Sequence, residues 1–125
     1  MSESKTVLIV DDEPMVRYLI QAVLADSGLR LLEASNGVDA LAVAEQERPH
    51  VVLLDVGMPG LNGLEVCRRL KVGPSTCGIA VMMLTALAQE TDRDAAHAAG
   101  ADAYITKPFK PLELRAEVDQ LLARL

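Results

Sequence analysis

The sequence predicts an α/β fold, a doubly wound parallel sheet of five strands with helices on both faces. Two observations carry this. Short apolar runs alternate with helix-period segments along all 125 residues. Three of those runs are apolar at successive positions, as strands are when helices cover both faces of a parallel sheet.

In chain order, Thr6–Val10 (TVLIV) is the first such run. Pro14 suits a first helical turn, where its missing N–H costs nothing, and Val16, Leu19, Ile20 and Val23 then share a face before Gly28. Leu29–Ala34 (LRLLEA) is mixed, as an edge strand is. Asn36 can cap a second helix bearing Val38, Leu41 and Ala42, which stops before Pro49. Val51–Leu54 (VVLL) is again wholly apolar. Asn62, with Glu65 three residues on, resembles a capping box for a third helix carrying Leu64, Cys67 and Leu70. Ile79–Leu84 (IAVMML) is the third buried run. A fourth helix near Gln89–Ala99 is rich in alanine and charge, and Gly100 would end it. Ala103–Thr106 (AYIT) reads as the other edge. A last helix starts near Pro111, with Leu114, Val118, Leu121, Leu122 and Leu125 at helical spacing.

This is (βα) five times over. Right-handed crossovers put helices on both faces. With the most apolar strands inside, the order is 2-1-3-4-5, the flavodoxin-like arrangement, whose ligand crevice lies beyond the carboxyl ends of the first and third strands.

Half the residues are hydrophobic, yet only Tyr18, Tyr104 and Phe109 are aromatic, so the core is aliphatic. A net charge of −6 argues against a surface for nucleic acid, where Lys and Arg on phosphates supply affinity. The N-terminus lacks the apolar stretch of a signal peptide, and no run is long enough to span a bilayer. Cys67 and Cys77 show no metal-ligand spacing and read as reduced thiols in a cytoplasmic protein. His50 falls at the far end from the acids and His97 among alanines; neither reads as a site.

The strand ends converge. The first runs into Asp11-Asp12-Glu13, the third ends at Asp55, the fourth at Thr85 and the fifth at Lys107-Pro108. Two carboxylates about 5 Å apart repel by roughly 3 kcal/mol at an effective dielectric near 20. Three together must protonate, pair or bind a cation. An all-oxygen set suits Mg²⁺ or Mn²⁺. With Lys107 and Thr85, such an ion makes a cradle for a transferring phosphoryl group, and Asp55 is then the carboxylate nucleophile.

Over essentially its whole length the chain resembles a response-regulator receiver domain of two-component signalling, the CheY-like family. The residues carrying the likeness are VLIVDDEP (7–14), VVLLDVGMPGLNG (51–63), VMMLTA (81–86) and GADAYITKPF (100–109). The resemblance implies that Asp55 takes a phosphoryl group from a sensor histidine kinase or histidine phosphotransfer protein. It implies Mg²⁺ held by Asp12, Asp55 and the carbonyl of Gly57, with Asp11 acting largely through water. Lys107 would contact the phosphoryl group through a loop whose bond to Pro108 is cis. Ala86, beside Thr85, should leave that group accessible. Thr85 and Tyr104 match the family's switch pair. The face of the fourth helix, fifth strand and fifth helix would then change its affinity for a downstream protein, or form a phosphorylation-dependent dimer.

The expectation is one receiver domain over residues 1–125 with no output domain, a switch that assists its own phosphorylation and dephosphorylation rather than a dedicated enzyme. Stand-alone regulator and receiver of a longer regulator or hybrid kinase fit equally. The rival is a Mg²⁺-dependent phosphohydrolase with an aspartyl nucleophile, but such enzymes need a second acid where Gly57 stands. A flavin carrier would need a phosphate-cradling loop where two aspartates stand. By the resemblance, Gly57 and Leu87 stand at two variable positions bordering the site, and both lack polar side chains, which predicts slower self-hydrolysis than in a variant with polar residues at both.

Overall fold

A computed structural model describes residues 4–85 and 90–124. The elements run β1 (Thr6–Val10), α1 (Pro14–Leu24), a 3₁₀ turn (Ala25–Ser27), β2 (Arg30–Ala34), α2 (Gly37–Glu47), β3 (Val51–Asp55), α3 (Gly63–Val72), β4 (Ala80–Thr85), α4 (Glu90–Ala98), β5 (Ala103–Thr106) and α5 (Pro111–Ala123). All strand pairs are parallel, in the order β2-β1-β3-β4-β5. The expected doubly wound sheet is present.

The apolar runs are explained by two core layers. Leu8, Val10, Val52, Leu54, Val81 and Met83 point to one face, under Ala40 and Ala44 of α2, Val66, Cys67 and Leu70 of α3 and Ala96 of α4. Val7, Ile9, Val51, Leu53, Met82 and Leu84 point to the other, under Ile20 and Leu24 of α1 and Leu114, Val118 and Leu121 of α5. Successive strand residues bury opposite faces, and each Leu, Ile or Met so buried contributes roughly 1.5–3 kcal/mol. β2 and β5 keep partly exposed positions, as edges do.

Helix starts follow the capping residues. Asn36 Oδ1 accepts the Asp39 N–H at 2.8 Å, and Asn62 Oδ1 the Glu65 N–H at 3.0 Å. The expected box at α3 is completed differently: the Glu65 carboxylate turns to Arg68 (3.1 Å) and Arg69 (3.5 Å). Pro14 and Pro111 open α1 and α5. Gly28, at φ 76°, reverses the chain before β2.

Strand bounds shift where turns compete for the backbone. The Ile79 N–H closes a turn onto the Thr76 carbonyl, so β4 begins at Ala80, whose N–H reaches the His50 carbonyl. His50 Nδ1 accepts the Thr6 N–H at 3.0 Å, a structural role at the amino edge of the sheet. Cys67 is buried and Cys77 exposed, both as free thiols. Burial pushes the Cys67 thiol up to about 11. Gln89 and Leu125, expected in the fourth and fifth helices, lie outside the described residues. Among the described residues no helix is long and apolar enough to cross a membrane.

Candidate functional site

The carboxyl edge of the sheet gathers the site. β1 leaves the sheet at Asp11, which is fully buried. Its N–H still reaches the Ala34 carbonyl at 3.3 Å. Its Oδ1 accepts the Glu13 N–H at 2.9 Å, and its Oδ2 lies 2.7 Å from Lys107 Nζ. β3 ends on Asp55, 7% exposed, whose Oδ1 accepts the Gly57 N–H at 3.2 Å and lies 3.4 Å from Lys107 Nζ. Lys107 is held from the other side, its N–H donating to the Thr85 carbonyl at 2.6 Å. The Lys107–Pro108 bond is cis.

Carboxylate oxygens of Asp11, Asp12 and Asp55 all lie within 4.8 Å of one another. Burial, then the charge of Asp11, raises the Asp55 pKa above its ordinary value, against the opposing pull of Lys107 and the Gly57 N–H. Burial alone would lower Lys107, but its hydrogen bond to Asp11 and the charges of Asp55 and Asp11 outweigh that and hold its pKa high. One lysine therefore neutralises only part of three carboxylates. A hard divalent cation with oxygen ligands fits this donor set and would relieve the remaining repulsion. Above the cluster opens a cleft of about 270 Å³ lined by Asp12, Glu13, Asp55, Val56, Gly57, Thr85 and Lys107.

Acid pair, strand-end aspartate and lysine stand on the ends of β1, β3 and β5 of a 2-1-3-4-5 sheet. Residues 7–119 match the family model of the response regulator receiver domain. The chain belongs to that family. The receiver is 44% identical over 120 residues to the phosphate regulon transcriptional regulatory protein PhoB of Pseudomonas aeruginosa, covering 96% of this chain and 52% of that protein. It is 42% identical to the protein PilH of the same organism, covering 94% of this chain and 97% of PilH. It thus spans about half the length of the first relative and nearly all of the second. The BeF3-activated DrrB receiver domain, from Thermotoga maritima, superposes with a TM-score of 0.87 at 32% identity, covering 97% of this chain and 99% of that one. Such a domain is a signalling switch rather than a dedicated enzyme.

Asp12, Asp55, Gly57, Thr85 and Lys107 share the receiver's cleft, with Asp11 buried beneath it. Tyr104 does not. It stands on β5 opposite Met83, half-buried, and lines a separate cleft with Asp94 and His97 of α4. Ala86 and Leu87 lie outside the described residues.

Two contributors escaped the sequence reading. Gly63 opens α3 directly against β3: a Cβ there would collide with the Asp55 carbonyl oxygen, so only glycine lets the helix approach the acid's backbone. Asn62 marked the start of the helix but not this contact. Arg17 donates from Nη1 to the Asp11 carbonyl at 2.7 Å and from Nε to Glu33 at 3.1 Å. Glu33 is sixteen residues away on β2, so no local pattern could signal it.

Proposed function

We propose that this receiver takes a phosphoryl group onto Asp55 from a phosphohistidine on a sensor kinase or phosphotransfer protein, in a Mg²⁺-dependent reaction. The observation that carries the reading is the trio of carboxylates within 4.8 Å of one another, with Lys107 bridging two of them at the cleft floor. A phosphoryl group brings further negative charge to a place that already holds more carboxylates than cations. Asp12, Asp55 and the Gly57 carbonyl would hold Mg²⁺, with Asp11 acting largely through water; the ion would supply charge neutralisation and a coordination position for a phosphate oxygen.

The residues of the chain do the rest. An Asp55 carboxylate oxygen attacks phosphorus and forms the O–P bond. The P–N bond of the donor breaks, its electron pair staying on the imidazole nitrogen, which returns to the neutral ring on taking a proton. Asp55 sits on a strand end clamped by its neighbours, so the in-line approach needs little reorganisation. Lys107, already 3.4 Å from Asp55, can follow the new charge, and Thr85 lines the same cleft. Ala86, with no more than a methyl side chain, would leave the group open to its partners.

On α1 and α5, Met15 (75% exposed), Tyr18 (71%) and Leu112 (84%) stand in solvent. An apolar groove of about 390 Å³ is lined by Val16, Leu19, Pro108 and Phe109, with Lys107 at its end. Exposed apolar area of this kind marks a docking face, and its place suits a donor delivering phosphate to Asp55. On the opposite flank, Thr85 and Tyr104 would form the switch pair that couples phosphorylation to α4, β5 and α5. That face would engage a downstream protein or a second copy in a phosphorylation-dependent dimer. A cytoplasmic setting and a single receiver unit over residues 1–125 complete the reading.

Intact mass after incubation with acetyl phosphate tests it. One phosphoryl adduct that requires both Mg²⁺ and Asp55, and is absent from Asp55→Asn, is the expected result. A folded protein that binds Mg²⁺ yet forms neither an adduct nor a beryllofluoride complex would sink it. Light scattering with beryllofluoride tests the dimer.

A further inference from the structure

We propose that Arg17 is a positioning residue for the cation site, acting through the backbone of Asp11; the inference rests on the phosphoacceptor reading above. Pairing of β1 with β2 ends at Val10 opposite Ala34. Beyond that point the Asp11 carbonyl has left the ladder while its residue is still fully buried. A buried carbonyl needs a donor. Arg17, the fourth residue of α1, supplies it through Nη1 at 2.7 Å.

The guanidinium is itself held. Its Nε donates to Glu33 Oε1 of β2 at 3.1 Å, and its side chain is only 18% exposed. The planar fork lets one arm grip the carboxylate while another grips the carbonyl, which a lysine cannot do with the same geometry. The Asp11–Asp12 peptide is consequently fixed from both sides. Arg17 holds its carbonyl, and the Glu13 N–H returns to Asp11 Oδ1 at 2.9 Å. Rotating that peptide would swing Asp12, the exposed member of the carboxylate trio, relative to Asp11 and Asp55. An ion pair serving only to tie α1 to β2 would have no use for the Asp11 carbonyl. Groups that orient cation ligands in this way typically change metal affinity when removed.

The test uses the full chain and Mn²⁺ alone, with free ion counted by electron paramagnetic resonance. Arg17→Met, which keeps the packed stem, should weaken Mn²⁺ binding about tenfold. Arg17→Lys should recover part of that loss, and Glu33→Ala should show a smaller one. In acetyl phosphate reactions the Mg²⁺ concentration giving half the maximal rate should move with the isotherm, while the rate at saturating Mg²⁺ stays near wild type. A folded Arg17→Met protein with the wild-type isotherm overturns the proposal, even if it melts lower. Should Arg17→Met not fold, an unchanged isotherm in Glu33→Ala and Arg17→Lys together overturns it. A wild-type protein that binds Mn²⁺ but takes no phosphoryl group refutes the phosphoacceptor reading alone, and the isotherms still decide the role of Arg17.

Discussion

Lys71 and Asp102 close an ion pair of 2.6 Å at the amino edge of the sheet, tying the last turn of α3 to the loop before β5. The same Asp102 oxygen accepts the Val81 N–H at 2.8 Å, and Lys71 also donates to the Ile79 carbonyl at 2.7 Å. The two parts of this contact are separable. Asp102→Ala strands the N–H of a fully buried residue, which costs about 1–3 kcal/mol. Asp102→Asn can still accept that bond and loses only a solvent-washed ion pair, worth about 0–1 kcal/mol. Urea unfolding of the two variants should therefore separate them, with the asparagine close to wild type. Equal losses would show that the ion pair, not the backbone bond, holds this corner.

Asp55 gives a pH dependence of definite sign. Its folded pKa is raised above the ordinary 3.8 by burial and by the charge of Asp11. Between those two values the folded chain binds more protons than the unfolded chain, so stability rises as pH falls through the folded pKa. Above it the full penalty of the buried charge is present; below 3.8 none remains. Without divalent ions, Asp55→Asn should thus be more stable than wild type at pH 7, by on the order of 1 kcal/mol. The gap should close toward pH 4 and invert when Mg²⁺ is added, because the ion favours the wild-type carboxylate. Thermal melts across pH, with and without Mg²⁺, check both signs.

Lys107 is the partner of the fully buried Asp11 carboxylate. Lys107→Met leaves that charge with the Glu13 N–H but no counter-ion, a loss of about 3 kcal/mol. Mg²⁺ should restore more stability to this variant than to wild type, since it then takes the place of Lys107 as counter-ion to the Asp11 carboxylate. Denaturant midpoints at zero and saturating Mg²⁺ measure the difference. A loss below about 1 kcal/mol would mean that the Glu13 N–H suffices.

The sheet order and both core layers were legible because burial on two faces writes itself as unbroken runs such as VLIV and VVLL, and capping residues punctuate what lies between. Asp11, Asp12, Asp55, Thr85 and Lys107 were legible as a group because parallel topology sends every strand end to one edge. The contacts that cross the chain were not. Nothing local announces that Arg17 meets Glu33 or that Asp102 meets Lys71, since these pairs depend on the packing of separate elements. The start of β4 was misplaced by one residue for a similar reason: Ile79 is apolar enough for a strand, but its N–H is already engaged in the Thr76 turn.

Gly63 sets the distance between α3 and the strand that carries Asp55. Its N–H donates to the Val56 carbonyl at 3.2 Å, and a Cβ there would strike backbone atoms of Asp55 and Val56 rather than a side chain that could swing away. Gly63→Ala should lower stability by about 1–3 kcal/mol through overpacking and slow adduct formation by displacing Asp55. A stable variant with a wild-type rate would show that α3 yields at no cost to the site.

Gly57 is the converse case. A Cβ there meets nothing nearer than Asp55 Oδ1, at 4.0 Å, and its backbone does not require glycine. The position is open space facing the carboxylate, so a larger residue can be introduced without strain. A side-chain amide at this point could hold a water in line with a phosphoryl group on Asp55, which the present glycine cannot do. Gly57→Asn should leave the melting temperature within error and the Asp55 adduct forming normally, but the adduct should decay faster. Because a positioned water contributes through geometry and not through charge, the gain should persist across pH 6–8, well above the carboxylate range. Decay followed by phosphate release, in parallel with intact mass, isolates the hydrolytic step from rephosphorylation. An Asn variant that loses phosphate no faster than wild type would place the control of lifetime elsewhere in the cleft.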